Sequence, residues 1–573
     1  MRVEKKRRHP PGALVLALTL LWPCLGLATD YYVSPAGNDT APGTLTQPWR
    51  SLAHAGNTVQ SGDTVLVRNG TYTNDYFWPQ NSGTASAPIS VRAHPGESPT
   101  LTGAGYYGAF IYIGWSGSQY FVIDGLRFEN TTGENVIRLD QASYNTIRNC
   151  QFRNHEGTTI NVNRSDRNVI ERNTFDTAGD PSDAGSGDHI YVLGSDYNLI
   201  QNNYFTRAGH AAIDVIDYLS TANSDYNIIR DNTIEQRWGG GIYVSRGSTH
   251  TLIERNTISY AGVGVTTYPK TGIALMADDN IVRYNVMANA SAAPYVDPGM
   301  TIEGFVFQGR VQNARRNRLY NNVIYGSGKE ALFVTQRQNT VVTGNKFLNN
   351  IVYKNRVAGT YEQWIEPDGN YTLIFETYHA NADNKWAAFP NDNAFHHNLM
   401  LHADAAGDRP GEDPFIYYDQ NDWGHSLAWV QSNFATYFHH NIEQNPRFVD
   451  AAAGNFRLQG DSPAIDAGDF LARTRAAGGN TSTVPVDDAA SFADGFGVVE
   501  GDSVKVGAQA PVRIIAVDYA ANTLTFAQPL SFAAGETVSL AYAGSAPDMG
   551  AYEYTPGGGD TLAPAAPTNL TVQ

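Results

Sequence analysis

The chain has 573 residues, with 55 Gly, 27 Pro and only 17% charged residues, the composition of a turn-dense β protein long enough to bury an extended core. Its formal charge of -17 argues against nucleic acid and anionic membrane surfaces as partners. The same acidity weighs against a polyanionic substrate unless basic groups or cations line the site locally.

Residues 1–28 read as a secretory leader. Lys5, Lys6, Arg7 and Arg8 form a basic start, Ala13 to Leu21 an apolar centre, and Gly26-Leu27-Ala28 a small-residue cleavage site. The apolar run is too short to span a bilayer, and no later run is a membrane helix. Cys24 leaves with the leader, so Cys150 has no partner for an internal disulfide and is expected as a buried core thiol. An exported, extracellular or periplasmic monomer follows, with no membrane partner.

Between about Leu126 and Asn345 one pattern keeps returning. Tyr197-Asn-Leu-Ile-Gln-Asn-Asn203, Tyr226-Asn-Ile-Ile-Arg-Asp-Asn232 and His250-Thr-Leu-Ile-Glu-Arg-Asn256 align, and the column continues through Leu126, Cys150, Asn173, Asn285, Asn322 and Asn345. Members stand roughly 23 to 37 residues apart, the period of a solenoid rather than a globular core. An Asn at such a bend can bond its own backbone and the Asn of the next coil, so these residues read as structural.

A second column holds Ile160, Ile190, Ile213, Ile242, Ile273, Ile302 and Leu332 in alternating contexts such as His189-Ile-Tyr-Val192 and Ala212-Ile-Asp-Val215. Alternation sends Ile and Val inward and the interleaved residues outward. Three parallel strands per coil, stacked at about 4.8 Å, predict an all-β parallel β-helix over residues 29–479.

The opening runs from Asp30-Tyr-Tyr-Val-Ser-Pro-Ala-Gly-Asn-Asp39 through Trp49-Arg-Ser-Leu52 to Ser61-Gly-Asp-Thr-Val-Leu-Val67, and it resembles that of secreted right-handed parallel β-helix carbohydrate-active enzymes. That resemblance implies a right-handed helix, an opening strand, a short helix from about Arg50 to Val59 that caps the open end, and a chemistry drawn from the pectate lyase-like superfamily: lyases, epimerases and some glycosidases. Covering an exposed strand edge is what a solenoid end requires.

Past about residue 350 an aromatic-rich insertion, 355–444, interrupts the repeat, with one coil-like return at Ala394-Phe-His-His-Asn-Leu-Met400. His396-His397 and His439-His440 suggest a metal, but neighbours on a strand face opposite ways, which sets that reading aside. Residues 480–545 read as a small β-barrel or sandwich module inserted near the C-terminus, and 546–554 as the closing segment of the helix. Residues 555–573 form a linker and the start of a fibronectin type III-like strand.

Loop insertions at 180–187, 216–225, 261–270, 290–300 and 305–315 flank one strand column and would wall a groove along it. Outward residues at that register are Asn161, Tyr191, Asp214, Tyr243, Ala274, Glu303 and Phe333, with His189 and Thr301 nearby. Asp188, His210, Asp217, Arg237, Trp238, Arg246 and Lys270 come from adjoining loops. A Tyr-Asp-Tyr run beside Gly240 and Gly241 suits a sugar platform.

The superfamily resemblance implies a polysaccharide partner, and the Tyr, Lys and Arg residues around the groove favour a lyase acting on a uronate-containing glycan. β-Elimination needs a base (Lys270 or His189), an acid (Tyr243 or Tyr191) and neutralisation of the uronate carboxylate, by Arg237 or Arg246, or by Ca²⁺ on Asp188, Asp214 and Asp217, with Asp214 the best-placed catalytic residue. Trp238 and Glu303 complete the expected binding surface. The alternatives are a glycosidase using paired carboxylates, with Asp214 joined by Asp188 or Asp217, and a non-catalytic carbohydrate-binding surface protein.

Overall fold

The computed structural model describes residues 28–556 apart from 115–117, 180–186, 218–221, 237, 261–270, 289–298, 308–309, 327–330, 337–339, 354–372, 378–391, 402, 405–406, 409–415 and 419–421. All but the last residue of the expected leader therefore lies outside the described residues, as do Arg237, Lys270 and most of the expected groove loops.

Three long sheets run the length of the molecule, each taking one strand per coil. Sheet 1 has 14 strands, from Asp30–Val33 to Phe438–His439, and sheet 2 has 12, from Thr71–Thr73 to Leu399–Leu401. Sheet 3 has 13, beginning at Ile111–Gly114 and ending in the antiparallel strand Asp422–His425. Pairing between successive coils is otherwise parallel along these paths, with Ile160, Ile190, Ile213, Ile242 and Ile273 in one inward row. These five are fully buried. Phe128, Phe152, Phe175 and Phe205 stack behind them with centroids 5.1, 4.9 and 4.7 Å apart. Such like-on-like stacking gives each coil the same shape to pack against.

The bends are held by two Asn ladders. In one, the backbone N–H of each member donates to the side-chain oxygen of the next, from Cys150 through Asn173, Asn203, Asn232, Asn256, Asn285, Asn322, Asn350 and Asn398 to Asn441. Asn345 is not in this row, where the sequence spacing put it; it belongs to the second ladder, which holds Asn145, Asn168, Asn198 and Asn227, then Asn280, Asn317, Asn345 and Asn393. In both, the residue before the ladder position adopts a left-handed conformation, as at Tyr197, Asn202, Tyr226 and Asp231. That twist turns the chain sharply and aims the following Asn inward, where its amide satisfies backbone groups that stacking would otherwise strand. Cys150 fills one slot: it is buried, and burial pushes its thiol up to about 12.

Helices close both ends. Leu52–Thr58 is capped by the Ser51 hydroxyl and buries Leu52 and Ala55 against the first coils. Leu427–Asn433 buries Leu427 and Val430, and its Gln431 oxygen accepts the last ladder N–H, from Asn441. The coils also continue through the stretch expected as an insertion: Leu373–Thr377 and Ile416–Tyr418 extend sheet 3.

C-terminal segments cover two of the three faces. A six-stranded antiparallel sheet, Ala472–Arg473 to Thr537–Leu540, starts a few residues before the expected 480 and packs Phe492, Val504, Leu524 and Phe526 onto Leu199, Ile228, Leu252 and Ile281 of sheet 1. Arg283, buried at 4% side-chain exposure, bonds Glu254 within the helix and Asp502 of this module. On sheet 2, Val286, Val323, Ile351 and Leu399 pack against Phe448, Phe456, Leu458 and Met549. Neither buried cluster draws on the outward residues of sheet 3.

Candidate functional site

The outward row of sheet 3 runs through Tyr112, Arg138, Asn161, Tyr191, Asp214, Tyr243, Ala274, Thr301 and Phe333. Tyr191, Asp214 and Tyr243 are thus direct neighbours on three successive coils. Glu303 is displaced from the row. Met300 rather than Ile302 takes the inward place beside Ile273, so Thr301 follows Ala274 and Glu303 lies two residues further along, paired with Thr335. The intervening loop of unknown slack hid this offset from spacing alone.

Asp214 lies on the fully buried strand Ala211–Ile216 and is 7% exposed. Burial, reinforced by the charge of Asp188, raises its carboxyl to about 7, with His210 and Arg246 pulling the other way. Asp188 sits one coil earlier at the corner before Ile190–Leu193; its Oδ1 accepts from His210 Nδ1 at 2.8 Å and from the Ala211 N–H at 3.1 Å. The His210 Nδ1 lies 4.0 Å from Asp214 Oδ2. One donor atom from each of Asp188, His210 and Asp214 falls within 4.8 Å of the others.

From the next coil, the Tyr243 ring meets His210 edge-on, centroids 5.5 Å apart. A Cβ on Gly240 would stand 2.0 Å from the Tyr243 hydroxyl, so the glycine makes room for the phenol to fold back over the strand. Tyr191, half-buried below Asp214, has its hydroxyl pushed up by burial and by the nearby Asp214 and Asp188 charges. Arg246, at the end of Gly240–Ser245, acts on both Asp214 and Tyr191 as a nearby cation. Its backbone N–H donates to Gln312 Oε1, on a strand that pairs back along Met300–Phe307. Trp238 is half-buried at the corner leading into Gly240.

Two expected members stand elsewhere. His189 is fully buried between Phe175 and Phe205; its Nε2 lies 2.7 Å from the Thr206 carbonyl and its Nδ1 3.3 Å from the Thr159 hydroxyl. Burial lowers its pKa to about 4, so it is a neutral core group and not a base facing the groove. Asp217, 1% exposed, is held by Arg310, with Nη1 to Oδ1 at 3.0 Å. Among the described residues, the group that comes together is therefore Asp188, His210 and Asp214, without Asp217.

Spacing had not extended the row upstream. Phe77 bridges to Ile111, which sets Trp78 beside Tyr112 with centroids 5.5 Å apart. Tyr106 and Tyr107, exposed at 41% and 72%, join the same cluster against Trp78, and Tyr76 stacks on Tyr106 at 4.4 Å. Arg138 lies over the Tyr112 ring. The sequence signal was present, because Tyr112 and Arg138 share the outward parity of Tyr191.

A family profile described as "Pel9A-like, right handed beta helix region" matches residues 31–185, and one described as "Right handed beta helix region" matches residues 183–308. Pectate lyase PEL9 of Emericella nidulans is 42% identical over 93 residues, 16% of this chain and 22% of that protein. The chain thus spans well under two thirds of that lyase. YwoF of Bacillus subtilis is 27% identical over 409 residues, covering 62% of this chain and 81% of the relative. Among solved structures, the complex of XylC with xylose aligns with TM-score 0.47 at 11% identity, covering 89% of this chain and 99% of that one. Pectate lyase Pel9A aligns with TM-score 0.35 at 14% identity, covering 92% and 96%. The chain carries a right-handed parallel β-helix, matched by these two profiles across residues 31–308.

Proposed function

We propose that this chain is an exported polysaccharide-degrading enzyme, a lyase that cleaves a uronate-containing glycan by β-elimination along the outward row of sheet 3. The observation that carries the reading is Asp214, a carboxyl raised to about 7 between two tyrosines and beside the Asp188–His210 pair. A proton acceptor poised near neutrality is what abstraction of a carbon-bound proton requires.

In this reading Arg246 faces the uronate carboxylate and lowers the cost of the carbanion-like transition state. Asp214 takes the proton from the carbon next to that carboxylate. The electron pair forms the new carbon–carbon double bond as the glycosidic C–O bond breaks, and the Tyr243 hydroxyl gives its proton to the leaving oxygen. The row from Trp78 to Phe333 spans ten coils, about 43 Å at the strand spacing, a length suited to a polymer. The aromatic rings at its upstream end offer flat apolar surfaces to sugar faces.

A second reading, glycoside hydrolysis, is favoured by the unequal environments of Asp214 and Asp188, since one raised carboxyl beside another is the pattern of an acid and its partner. Incubation with a panel of uronate polymers separates the two. Unsaturated uronate ends, read by ultraviolet absorbance, support elimination. New reducing ends without that absorbance support hydrolysis, and binding without either product supports a carbohydrate-binding protein.

A further inference from the structure

The C-terminal coils repeat one dipeptide. His396-His397 precedes ladder residue Asn398, and His439-His440 precedes Asn441 on the following coil. Strand alternation would send the two rings of each pair to opposite faces. His397 and His440, however, occupy the left-handed bend position, with φ of 52° and 54°, and that twist brings the second ring to the side of the first. His396 Nδ1 accordingly lies 3.3 Å from His397 Nδ1. His439 stacks over His396 with centroids 4.7 Å apart, and one donor atom from each of His396, His397 and His439 falls within 4.8 Å of the others.

A carboxylate from outside the coils stands beside two of the three rings. Asp469 Oδ2 lies 3.8 Å from Nδ1 of both His396 and His397. Its backbone is tied to the first ladder's corner, its N–H donating to Asn349 Oδ1 and its carbonyl accepting from Asn349 Nδ2. Tetrahedral zinc with bonds of about 2.0–2.1 Å sets its donors about 3.3 Å apart, so the two imidazole nitrogens already stand at ligand separation and the carboxylate is a few tenths of an ångström beyond it.

We propose that His396, His397, His439 and Asp469 bind one divalent transition metal of the zinc class, which clamps the segment leading into the C-terminal module onto the last coils of the β-helix. The donor set, three imidazoles and one carboxylate, suits zinc and disfavours calcium or magnesium. The half-buried side chains, 15% exposed at His396 and 28% at Asp469, leave an approach for the ion. The site is separate from the Asp188–His210–Asp214 cluster and does not rest on the reading of that cluster as catalytic.

The test uses the full chain, stripped with a chelator and then dialysed against zinc or magnesium, with bound metal measured by elemental analysis and Tm by calorimetry. One zinc per chain is expected, with no retained magnesium, and a rise in Tm of a few degrees. His397→Asn, which tolerates the left-handed bend, and Asp469→Asn should each keep the metal-free Tm within a few degrees but lose the bound zinc and the increment. Asp214→Asn should still bind it. The proposal is overturned if wild type retains no zinc, if both variants retain as much as wild type, or if Asp214→Asn alone abolishes binding. A paired imidazole network without metal would give the first of these results.

Discussion

Asp188 Oδ1 receives a 2.8 Å hydrogen bond from His210 Nδ1, and both side chains stand at one corner of the helix, a coil apart, beside Asp214. The contact fixes the imidazole ring while leaving the Asp188 charge close enough to raise Asp214. Replacing Asp188 by Asn removes that charge and weakens the hold on the ring. Turnover should fall by about 10²–10⁴-fold, and the limb of the pH–rate profile assigned to Asp214, expected near 7 in wild type, should move to lower pH. An unchanged limb would show that another group sets it.

Asp214 also links stability to pH. Its folded pKa, about 7, lies above the ordinary 3.8, so the folded state holds the proton more tightly than the unfolded chain. The favourable contribution is complete below pH 3.8 and is lost as pH rises through about 7. Asp214→Asn removes the cost of ionising a buried group. Its Tm should therefore exceed that of wild type at pH 8, by an amount on the order of 1–3 kcal/mol in stability, and the difference should shrink on acidification. A variant less stable than wild type at pH 8 contradicts this account.

The row Tyr191, Asp214, Tyr243 was legible because it depends only on the two-residue pleat and on short, regular coils. The failures have the same physical source wherever the pleat is interrupted. His396 and His397 were assigned to opposite faces because the left-handed residue before each ladder Asn reverses the alternation. Asn345 was placed in the wrong row because two ladders share one left-handed-then-Asn signature and lie five residues apart, as in Asn345 and Asn350. Glu303 slipped by two residues across a long loop. Asp217 was assigned to a metal because its partner, Arg310, is 93 residues away in sequence. His189 sits at a corner, where the strand rule does not say which way a ring turns.

Two adjacent glycines give opposite expectations. A Cβ at Gly240 first meets the phenol end of Tyr243, at 2.0 Å, whereas one at Gly241 meets the Gly272 carbonyl oxygen at 2.2 Å. Gly240→Ala should displace the tyrosine and cut turnover nearly as far as Tyr243→Phe, with Tm close to wild type. Gly241→Ala pushes backbone against backbone between coils and should lower stability by about 2–4 kcal/mol. Thermal denaturation and turnover, measured on both, check the contrast.

The ladders predict one loss and one gain. Asn232 accepts from the N–H and the side-chain amide of Asn203 and donates to the Ile200 carbonyl and to Asn256. Asn232→Ala should cost about 2–4 kcal/mol, because several buried groups lose partners together. In the second ladder Thr251 stands where Asn227 and Asn280 have neighbours of their own kind, and its buried hydroxyl makes no hydrogen bond. Thr251→Asn should restore the row and raise Tm, by about 1 kcal/mol in stability; denaturant titration of both variants reads the two signs.

The most direct measurement is turnover of a uronate polymer by wild type and Asp214→Asn, both checked for native circular dichroism. Wild type should release unsaturated fragments, and the variant should lose at least about 10³-fold in rate while remaining folded. Comparable rates from the two proteins would contradict the assignment of the sheet 3 face as the active site.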